Sequence, residues 1–225
     1  MKTRRIIYLS FISFVITFII LFSANYKPQM LQSERCNWLD ISCYANFQEH
    51  TTVIAEELWG QAGTVAYQVA GAWMYANNGS SQELDNIQKE YLRPYFGSLV
   101  DRVTIAYNAT LMEDWLYADF QIDIGQVDAI AQTYCQHIYL EDSYKPRDFG
   151  QLIVLSHELV HSRQCQQLGG ASQFGYHYFK AYKKAGQNYA SNLMEVMADK
   201  FEKRFAGWLS QQLANGQIDL DREVN

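Results

Sequence analysis

The alternation of apolar and polar positions predicts a chain built mostly of helices. Apolar and small residues dominate positions 51–76, which predicts a helix that ends at the polar stretch 77–80. A second helix is predicted to start near residue 81, and Pro94 to Gly97 close it because proline and glycine terminate helices. Both helices precede the segments in which the candidate chemistry lies.

Two short strands are predicted before the most apolar helix of the domain. Positions 101–107 alternate as a strand does, and positions 136–141 form a second short strand. The helix that follows, 152–168, is apolar on most faces, which is typical of a core helix, and Gly169-Gly170 stop it. A small sheet before a helical segment predicts an α+β fold class, mostly helical.

The last predicted helix runs from residue 192 to about residue 213 and carries two stripes. Glu195, Asp199 and Glu202 follow one another at i, i+4 and i+7, so they share one face. This spacing lets one carboxylate, with a second acid one turn later, face the helix 152–168. The apolar stripe of the same helix comprises Leu193, Met197, Phe201, Phe205 and Trp208.

An H-E-x-x-H segment lies inside the apolar helix 152–168, with His157 and His161 four residues apart and Glu158 between them. Residues four apart lie on the same face of a helix, so both imidazoles can reach one cation. Zinc held by three protein groups keeps a fourth position for water and lowers the pKa of that water to about 7. Glu158 would then act as the general base.

Glu195 is the candidate for the third metal ligand, because it lies on a separate helix whose acidic stripe can face the two histidines. Asp199 does not bind the metal in this interpretation; it is the candidate for the carboxylate that accepts the free ring N–H of a ligating histidine. An alternative interpretation is a capping box formed by Asn192 and Glu195, since acids near a helix start also favour the macrodipole.

The pattern of HExxH followed by E-x-x-x-D on a later helix resembles that of the gluzincin zinc peptidases. The segments AQTYCQHIYL at 131–140 and LIVLSHELVHSRQ at 152–164 are similar to the extracellular contractile injection system core-type domains, a bacterial family of metallopeptidase type. The likeness covers about residues 91–202, judged by motif context.

The resemblance implies a compact zincin-like core in which His157, His161 and Glu195 bind zinc and Glu158 is the catalytic glutamate. Cys135 and Cys165 depart from the family pattern, leave these site residues intact and indicate a local disulfide.

The chain has four cysteines, an even number, and all lie beyond the apolar N-terminal run: Cys36, Cys43, Cys135 and Cys165. Four cysteines allow three connectivities, between which the sequence does not choose. Cys36 with Cys43 would close a short local loop, which leaves Cys135 for Cys165. The second pair would tie a strand to the helix that carries the histidines.

The N-terminal residues 1–24 are predicted to be a targeting segment, either a signal-anchor helix or a signal peptide. Three basic residues precede an uncharged apolar run at positions 6–22. Cleavage after Ala24 would place Phe22 where signal peptidases require a small residue, which favours an uncleaved membrane anchor.

Basic residues before an apolar span hold the N-terminus in the cytoplasm and send the rest of the chain across the membrane. We therefore expect a polar, cysteine-bearing stalk at 25–50 and an extracytoplasmic domain at 51–225, either membrane-anchored or secreted.

Composition agrees with one folded domain after the N-terminal segment, with 48% hydrophobic and 19% charged residues. The net charge of −6 argues against nucleic acid as a partner, because an acidic surface repels phosphate. The expected partners are a peptide or protein substrate and, through the N-terminal helix, a membrane.

One predicted strand and three further residues, His137, His177 and Tyr189, bear on the site. The strand His137–Leu140 is expected to offer an exposed edge to which an extended peptide could add. His137 itself is expected to be a surface or packing residue, since a strand neighbour does not extend the i, i+4 pair. Tyr189 or His177 could donate to the oxyanion of a tetrahedral intermediate, although packing is the alternative for each.

Two functions follow from these residues. The first is a zinc-dependent peptidase that acts outside the cytoplasm through metal-activated water and Glu158. The alternative is a non-catalytic, zinc-stabilised binding or scaffold module at the cell envelope, in which protein ligands would fill all four coordination positions.

Overall fold

The computed structural model describes residues 41–112 and 130–216. The predicted N-terminal anchor at 1–24 and the first part of the predicted stalk lie outside the described residues. Within the described ranges, no helix combines the length and hydropathy needed to cross a bilayer.

The described part of the chain is mostly helical and carries one small sheet, so the prediction of an α+β class is confirmed. Its elements, in chain order, are α1 (Ile41–Asn77), β1 (Gln82–Glu83), α2 (Asn86–Phe96), a 3-10 helix (Gly97–Asp101), β2 (Thr104–Ala106), β3 (Ala131–Tyr134), β4 (His137–Leu140), α3 (Phe149–Leu168), α4 (Ala171–Lys184), a 3-10 turn (Tyr189–Ser191) and α5 (Leu193–Ala214).

The four strands form a mixed sheet in the order β1-β2-β4-β3. β2 runs parallel to β4, with Ile105 opposite Ile138, and β3 runs antiparallel to β4, with Thr133 opposite Ile138. β4 is therefore an inner strand, paired on both sides. The prediction that this strand offers a free edge is wrong, because its backbone groups already bond to β2 and β3.

The main core lies where the sheet, α2, α3 and α5 pack together. α3 contributes Leu155 and Leu159, both fully buried, and α5 contributes Phe205 and Leu209. Burial of side chains from both helices fixes α5 against α3, which sets the relation between the HExxH segment and the acidic stripe.

A second packing contact joins α1 to α4. Gly63 and Gly175 lie at the closest approach of the two helices: a Cβ on Gly63 would lie 2.6 Å from the carbonyl oxygen of Gly175. The absence of side chains at these positions allows the two backbones to meet. α1 thereby lies alongside α4.

Element boundaries differ from the predictions at several places. The helix predicted to start near residue 81 begins at Asn86, because Gln82–Glu83 form β1. α1 begins at Ile41, so the last part of the predicted stalk, 41–50, is helical. The predicted strand 101–107 is reduced to Thr104–Ala106, because its first residue belongs to the 3-10 helix. β1 and β3 were not predicted.

The predicted apolar stripe of α5 is wrong in its first half. Leu193 and Met197 are 65% and 54% exposed, whereas Met194, Glu195 and Ala198 are buried. At the first turn of the helix the inward face is therefore formed by the predicted carboxylate of Glu195 and by Met194, and Leu193 faces outward. Phe205 is buried as predicted.

Candidate metal centre

α3 and α5 present the residues of the site. Asp148 caps α3 by accepting from the Gln151 backbone N–H, and Gly169 ends it in the left-handed conformation with φ 93°. Between these ends, His157 and His161 occupy the same face one turn apart. The helix thus extends three residues further toward the N-terminus than predicted and ends at the predicted glycines.

Glu195 is on the first turn of α5 and does not take part in a capping box. The side chain of Asn192 caps the helix by accepting from the Met194 N–H, and the Asn192 N–H bonds to the carbonyl of Tyr189. The carboxylate of Glu195 instead lies against the histidines of α3. The capping interpretation therefore applies to Asn192 alone.

Three atoms converge at one point between the two helices. Nε2 of His157 lies 3.1 Å from Nε2 of His161, and Oε2 of Glu195 lies 3.3 Å and 3.2 Å from these two nitrogens. Ligand atoms placed tetrahedrally at about 2.0–2.1 Å from zinc are about 3.3 Å apart. The triangle therefore has the dimensions of one face of a zinc tetrahedron, and these side chains could hold a metal ion.

The tautomer of His161 is fixed by Gln164. The amide Nε2 of Gln164 donates to the carbonyl of Met194 at 3.2 Å, so its Oε1 faces the histidine. Nδ1 of His161, 3.0 Å from that oxygen, must then carry the ring proton. In the neutral ring, its Nε2 then presents a lone pair to the centre of the triangle.

His157 is held in the same tautomer by a carboxylate of α5. Its Nδ1 lies 2.9 Å from Oε2 of Glu202 and 3.5 Å from Oδ1 of Asp199. A carboxylate accepts, so Nδ1 of His157 carries a proton, and in the neutral ring Nε2 is the nitrogen with the lone pair. Asp199 was the predicted partner of a histidine, and Glu202 is the closer of the two.

Tyr178 orients Glu195. Its hydroxyl, at 2.6 Å, donates to Oε1 of the carboxylate, and Oε2 is left facing the histidines. When both rings are neutral, two Nε2 nitrogens and one carboxylate oxygen thus meet with no hydrogen between them. Acceptors at this separation repel one another unless a cation lies among them.

The electrostatics of the site favour positive charge. Burial lowers the pKa of the His157 imidazole, but the carboxylates of Glu195, Glu158 and Glu202 outweigh burial and raise its pKa to about 9. The three converging side chains are nearly enclosed, with Glu195 2% and His161 6% exposed. Charge interactions at such a position are only weakly screened by solvent.

Glu158 is buried beside the triangle and is bound by β3. Oε2 of Glu158 accepts from the hydroxyl of Thr133 at 2.7 Å. Its charge raises the pKa of His157, which places it within electrostatic reach of the metal triangle. A carboxylate held next to a candidate metal ion is suited to take a proton from water.

The two candidate oxyanion donors lie in different surroundings. Desolvation of the hydroxyl and the Glu195 carboxylate raise the pKa of Tyr189, so this hydroxyl lies near Glu195 although 38% of the residue is exposed. The exposed ring of His177 packs edge-to-face on Tyr176 at 5.0 Å, and Tyr176 in turn binds Glu57 of α1. Tyr189 is therefore the better placed of the two.

His137 lies on β4, where its Nδ1 is 3.0 Å from the hydroxyl of Thr104 and its ring packs on Tyr75. It is not one of the residues of the metal triangle.

Cys135 and Cys165 form a disulfide, with their Cα atoms 5.3 Å apart. Cys135 lies in the turn between β3 and β4, and Cys165 lies on α3, so the bond ties the hairpin to the helix that carries the histidines. The predicted pairing of these two residues is confirmed. Cys36 lies outside the described residues, so its pairing with Cys43 stays a prediction.

Four residues that support the site were not assigned these roles from the sequence: Thr133, Gln164, Tyr178 and Glu202. Gln164 follows His161 by three residues and Glu202 follows Glu195 by seven, so helical spacing places each on the correct face. Thr133 and Tyr178 come from other elements, and no local pattern points to them.

A scan against protein-family models, a search of curated proteins and a search of solved structures each found no match to this chain.

Proposed function

We propose that this chain is a zinc-dependent peptidase with a zincin-like core that hydrolyses peptide bonds outside the cytoplasm. The observation that carries the proposal is the convergence of two imidazole Nε2 nitrogens and one carboxylate oxygen within 3.1 to 3.3 Å of one another. His157, His161 and Glu195 would hold zinc, and Glu158 would be the general base. Bound zinc would supply a Lewis acid that polarises the peptide carbonyl and activates water.

The donor set supports zinc and hydrolysis together. Two histidines and one glutamate are the ligands of several zinc peptidases, and they leave a fourth position for water or substrate. Two histidines and one carboxylate also hold Fe(II) in oxygenases. Glu158 favours hydrolysis, because it gives the site a proton acceptor directly beside a metal ligand. The resemblance of the motif to that of gluzincin peptidases adds to this support.

The disulfide supports a location outside the cytoplasm. A bond such as Cys135–Cys165 persists in oxidising compartments and is rare in the cytosol. The apolar segment at 6–22 would deliver the domain there, as an anchor or as a signal peptide. The proposed substrate is accordingly a peptide or protein in the periplasm or outside the cell.

The test is a metal analysis coupled to a peptidase assay on the full chain. Zinc and iron per chain are measured by elemental analysis in the natural protein, His157→Ala, Glu195→Ala and Glu158→Gln. We expect one zinc in the natural protein and in Glu158→Gln, and none in the two ligand variants. Hydrolysis of an unfolded protein or peptide library should fall by most of its rate in Glu158→Gln.

Three outcomes would contradict the proposal. Iron in place of zinc would indicate a different chemistry at the same ligands. Well-folded protein without metal would indicate that a proton, and not a metal ion, lies among the three converging atoms. Peptide turnover that survives Glu158→Gln would show that another group, or a contaminating enzyme, does the hydrolysis.

A second candidate function is a zinc-stabilised binding module, which the near-complete burial of Glu195 and His161 favours. Structural zinc is held by four protein ligands and does not exchange one of them. A hydroxamate that binds the metal and displaces a water would argue for the peptidase, whereas zinc inert to hydroxamate would argue for the module.

A further inference from the structure

The buried contact between Thr133 and Glu158 joins the sheet to the proposed catalytic base. Oγ1 of Thr133 lies 2.7 Å from Oε2 of Glu158 and 3.3 Å from the Glu158 carbonyl oxygen. A hydroxyl has one proton, and the nearer, charged oxygen is the stronger acceptor. The proton of Thr133 is therefore donated to the carboxylate. Both side chains are buried, so water competes little for this bond.

The hydroxyl of Thr133 is itself fixed by the hairpin. β3 pairs with β4 through Thr133 and Ile138, and a β-branched side chain on a strand has few rotamers. On the other side of β3, the hydroxyl of Tyr67 donates to the Thr133 carbonyl and accepts from the Cys135 N–H, both at 2.9 Å. Tyr67 thus takes the place of a neighbouring strand at that edge.

The disulfide adds a covalent tie close to Thr133. Cys135 follows Thr133 by two residues, and its partner Cys165 follows Glu158 by seven residues on α3. Residues seven apart lie on the same face of a helix. The hairpin is therefore attached to one face of α3 at two points, by the hydrogen bond at Glu158 and by the disulfide at Cys165.

We infer that Thr133 is a positioning residue for Glu158, held in place by Tyr67 and by the Cys135–Cys165 disulfide. The inference rests on the proposed function, in which Glu158 is the base. Since Oε2 accepts from Thr133, Oε1 receives the proton of water as the water oxygen bonds to the peptide carbonyl carbon. That proton then passes to the departing amine as the C–N bond breaks.

The test compares Thr133→Val with Thr133→Ser in the full chain. Valine keeps the shape of threonine and removes the hydroxyl, whereas serine keeps the hydroxyl. We expect Thr133→Val to lower kcat about 10- to 100-fold with KM and zinc content unchanged, because the base loses its orientation. Thr133→Ser should recover most of the rate. A natural kcat in Thr133→Val, or equal losses in both variants, would overturn the inference.

A second measurement does not depend on turnover. Crystal structures of the natural protein and the two variants report the position of the Glu158 carboxylate directly. We expect it to be displaced or split between orientations in Thr133→Val and unchanged in Thr133→Ser. An unchanged carboxylate in Thr133→Val would overturn the inference even if no substrate is found. If Thr133→Val does not fold, the smaller Thr133→Ala variant makes the same comparison.

The two failures are distinguishable. A natural protein that has zinc and an ordered Glu158 but cleaves no peptide contradicts the peptidase, while the crystallographic comparison still decides the role of Thr133. A peptidase that depends on Glu158 but is indifferent to Thr133→Val contradicts the positioning role alone.

Discussion

The hydroxyl of Tyr178 lies 2.6 Å from Oε1 of Glu195, on the opposite side of that carboxylate from the two histidines. This bond decides which carboxylate oxygen is presented to the metal triangle. Hydrogen bonds to metal ligands commonly affect metal affinity by about 10- to 100-fold. We therefore expect Tyr178→Phe to weaken zinc binding by a factor in that range, as measured by competition with a chelator.

Tyr176→Phe is the matched control for this prediction. Tyr176 is on the same helix and also donates to a glutamate at 2.6 Å, but that glutamate is Glu57 on α1. Its removal should leave zinc affinity unchanged. Equal losses in Tyr176→Phe and Tyr178→Phe would mean that the effect comes from loosening of α4 rather than from Glu195.

Glu202 and Asp199 are expected to differ in their effect on the metal. Glu202 accepts from Nδ1 of His157 at 2.9 Å, whereas Asp199 is 3.5 Å from the same nitrogen. Glu202→Ala should lower zinc affinity about 10- to 100-fold, because the ring loses its tautomer and orientation. Asp199→Ala should have the smaller effect in the same chelator titration. The reverse order would contradict the assignment of Glu202 as the partner.

The glycines of the α1–α4 contact predict a strong dependence on residue size. A Cβ on Gly175 would lie 2.7 Å from Cβ of Tyr67 and still closer to the carbonyl oxygen of Gly63. Gly175→Ala should therefore destabilise the fold by about 1–3 kcal/mol, as overpacking does. Unfolding in urea measures the change.

Gly207→Ala is the control in a second helix and should have the opposite sign. A Cβ at Gly207 in the interior of α5 would meet no atom within 4 Å. Alanine there should raise the free energy of unfolding by about 0.5–1 kcal/mol, because glycine is the poorer helix former. A neutral Gly175→Ala would contradict the close approach of the two helices.

Removal of the disulfide is expected to lower stability without abolishing the fold. The bond spans 30 residues, for which the loss of chain entropy corresponds to about 3–4 kcal/mol. The Cys135→Ala, Cys165→Ala double variant should lose this amount in urea unfolding under oxidising conditions. A reducing agent should destabilise the natural protein by about this amount more than it destabilises the variant. Equal sensitivity of both to the reducing agent would contradict the role of this bond.

The ion pair of Glu57 predicts a pH dependence of stability. The hydroxyl of Tyr176 and the ammonium of Lys180 lower the pKa of Glu57 from 4.5 to about 2. A carboxyl whose pKa is lower in the folded state stabilises the fold above its unfolded pKa and loses that contribution as pH falls. The difference in Tm between the natural protein and Glu57→Gln should therefore be present at pH 7, shrink below about pH 4.5 and vanish near pH 2. A Tm difference that does not change with pH would contradict the contribution of the Glu57 carboxylate.

The helix that carries HExxH was predicted well because its signals are local and strong. A long apolar run with glycines after Leu168 fixes both the type of element and its end. The position of α5 was also predicted to within one residue at each end. The strands were harder: β2 and β4 lie inside the two predicted strands, whereas β1, with two residues, and β3, with four, were missed.

The sequence predicted the three candidate metal ligands, but it predicted the residues around them less well. Glu195, Asp199 and Glu202 share one stripe of α5, but the sequence does not say which carboxylate reaches Nδ1 of His157. The inward turn of Glu195 also exposes Leu193, against the expectation for an apolar residue. Glu195 is buried at this turn because its carboxylate meets the imidazoles of the two histidines, a contact that hydrophobicity alone does not predict.

The hydrogen bonds of Tyr67 limit how far the chain can be shortened from its N-terminal side. Tyr67 reaches from α1 to the edge of β3, and two buried backbone groups of the hairpin have its hydroxyl as their partner. A fragment starting after α1 would lose both of these bonds and would lose the helix that packs on α4. A fragment that folds stably is therefore expected to include the part of α1 that carries Tyr67, and one that starts after α1 should be markedly less stable.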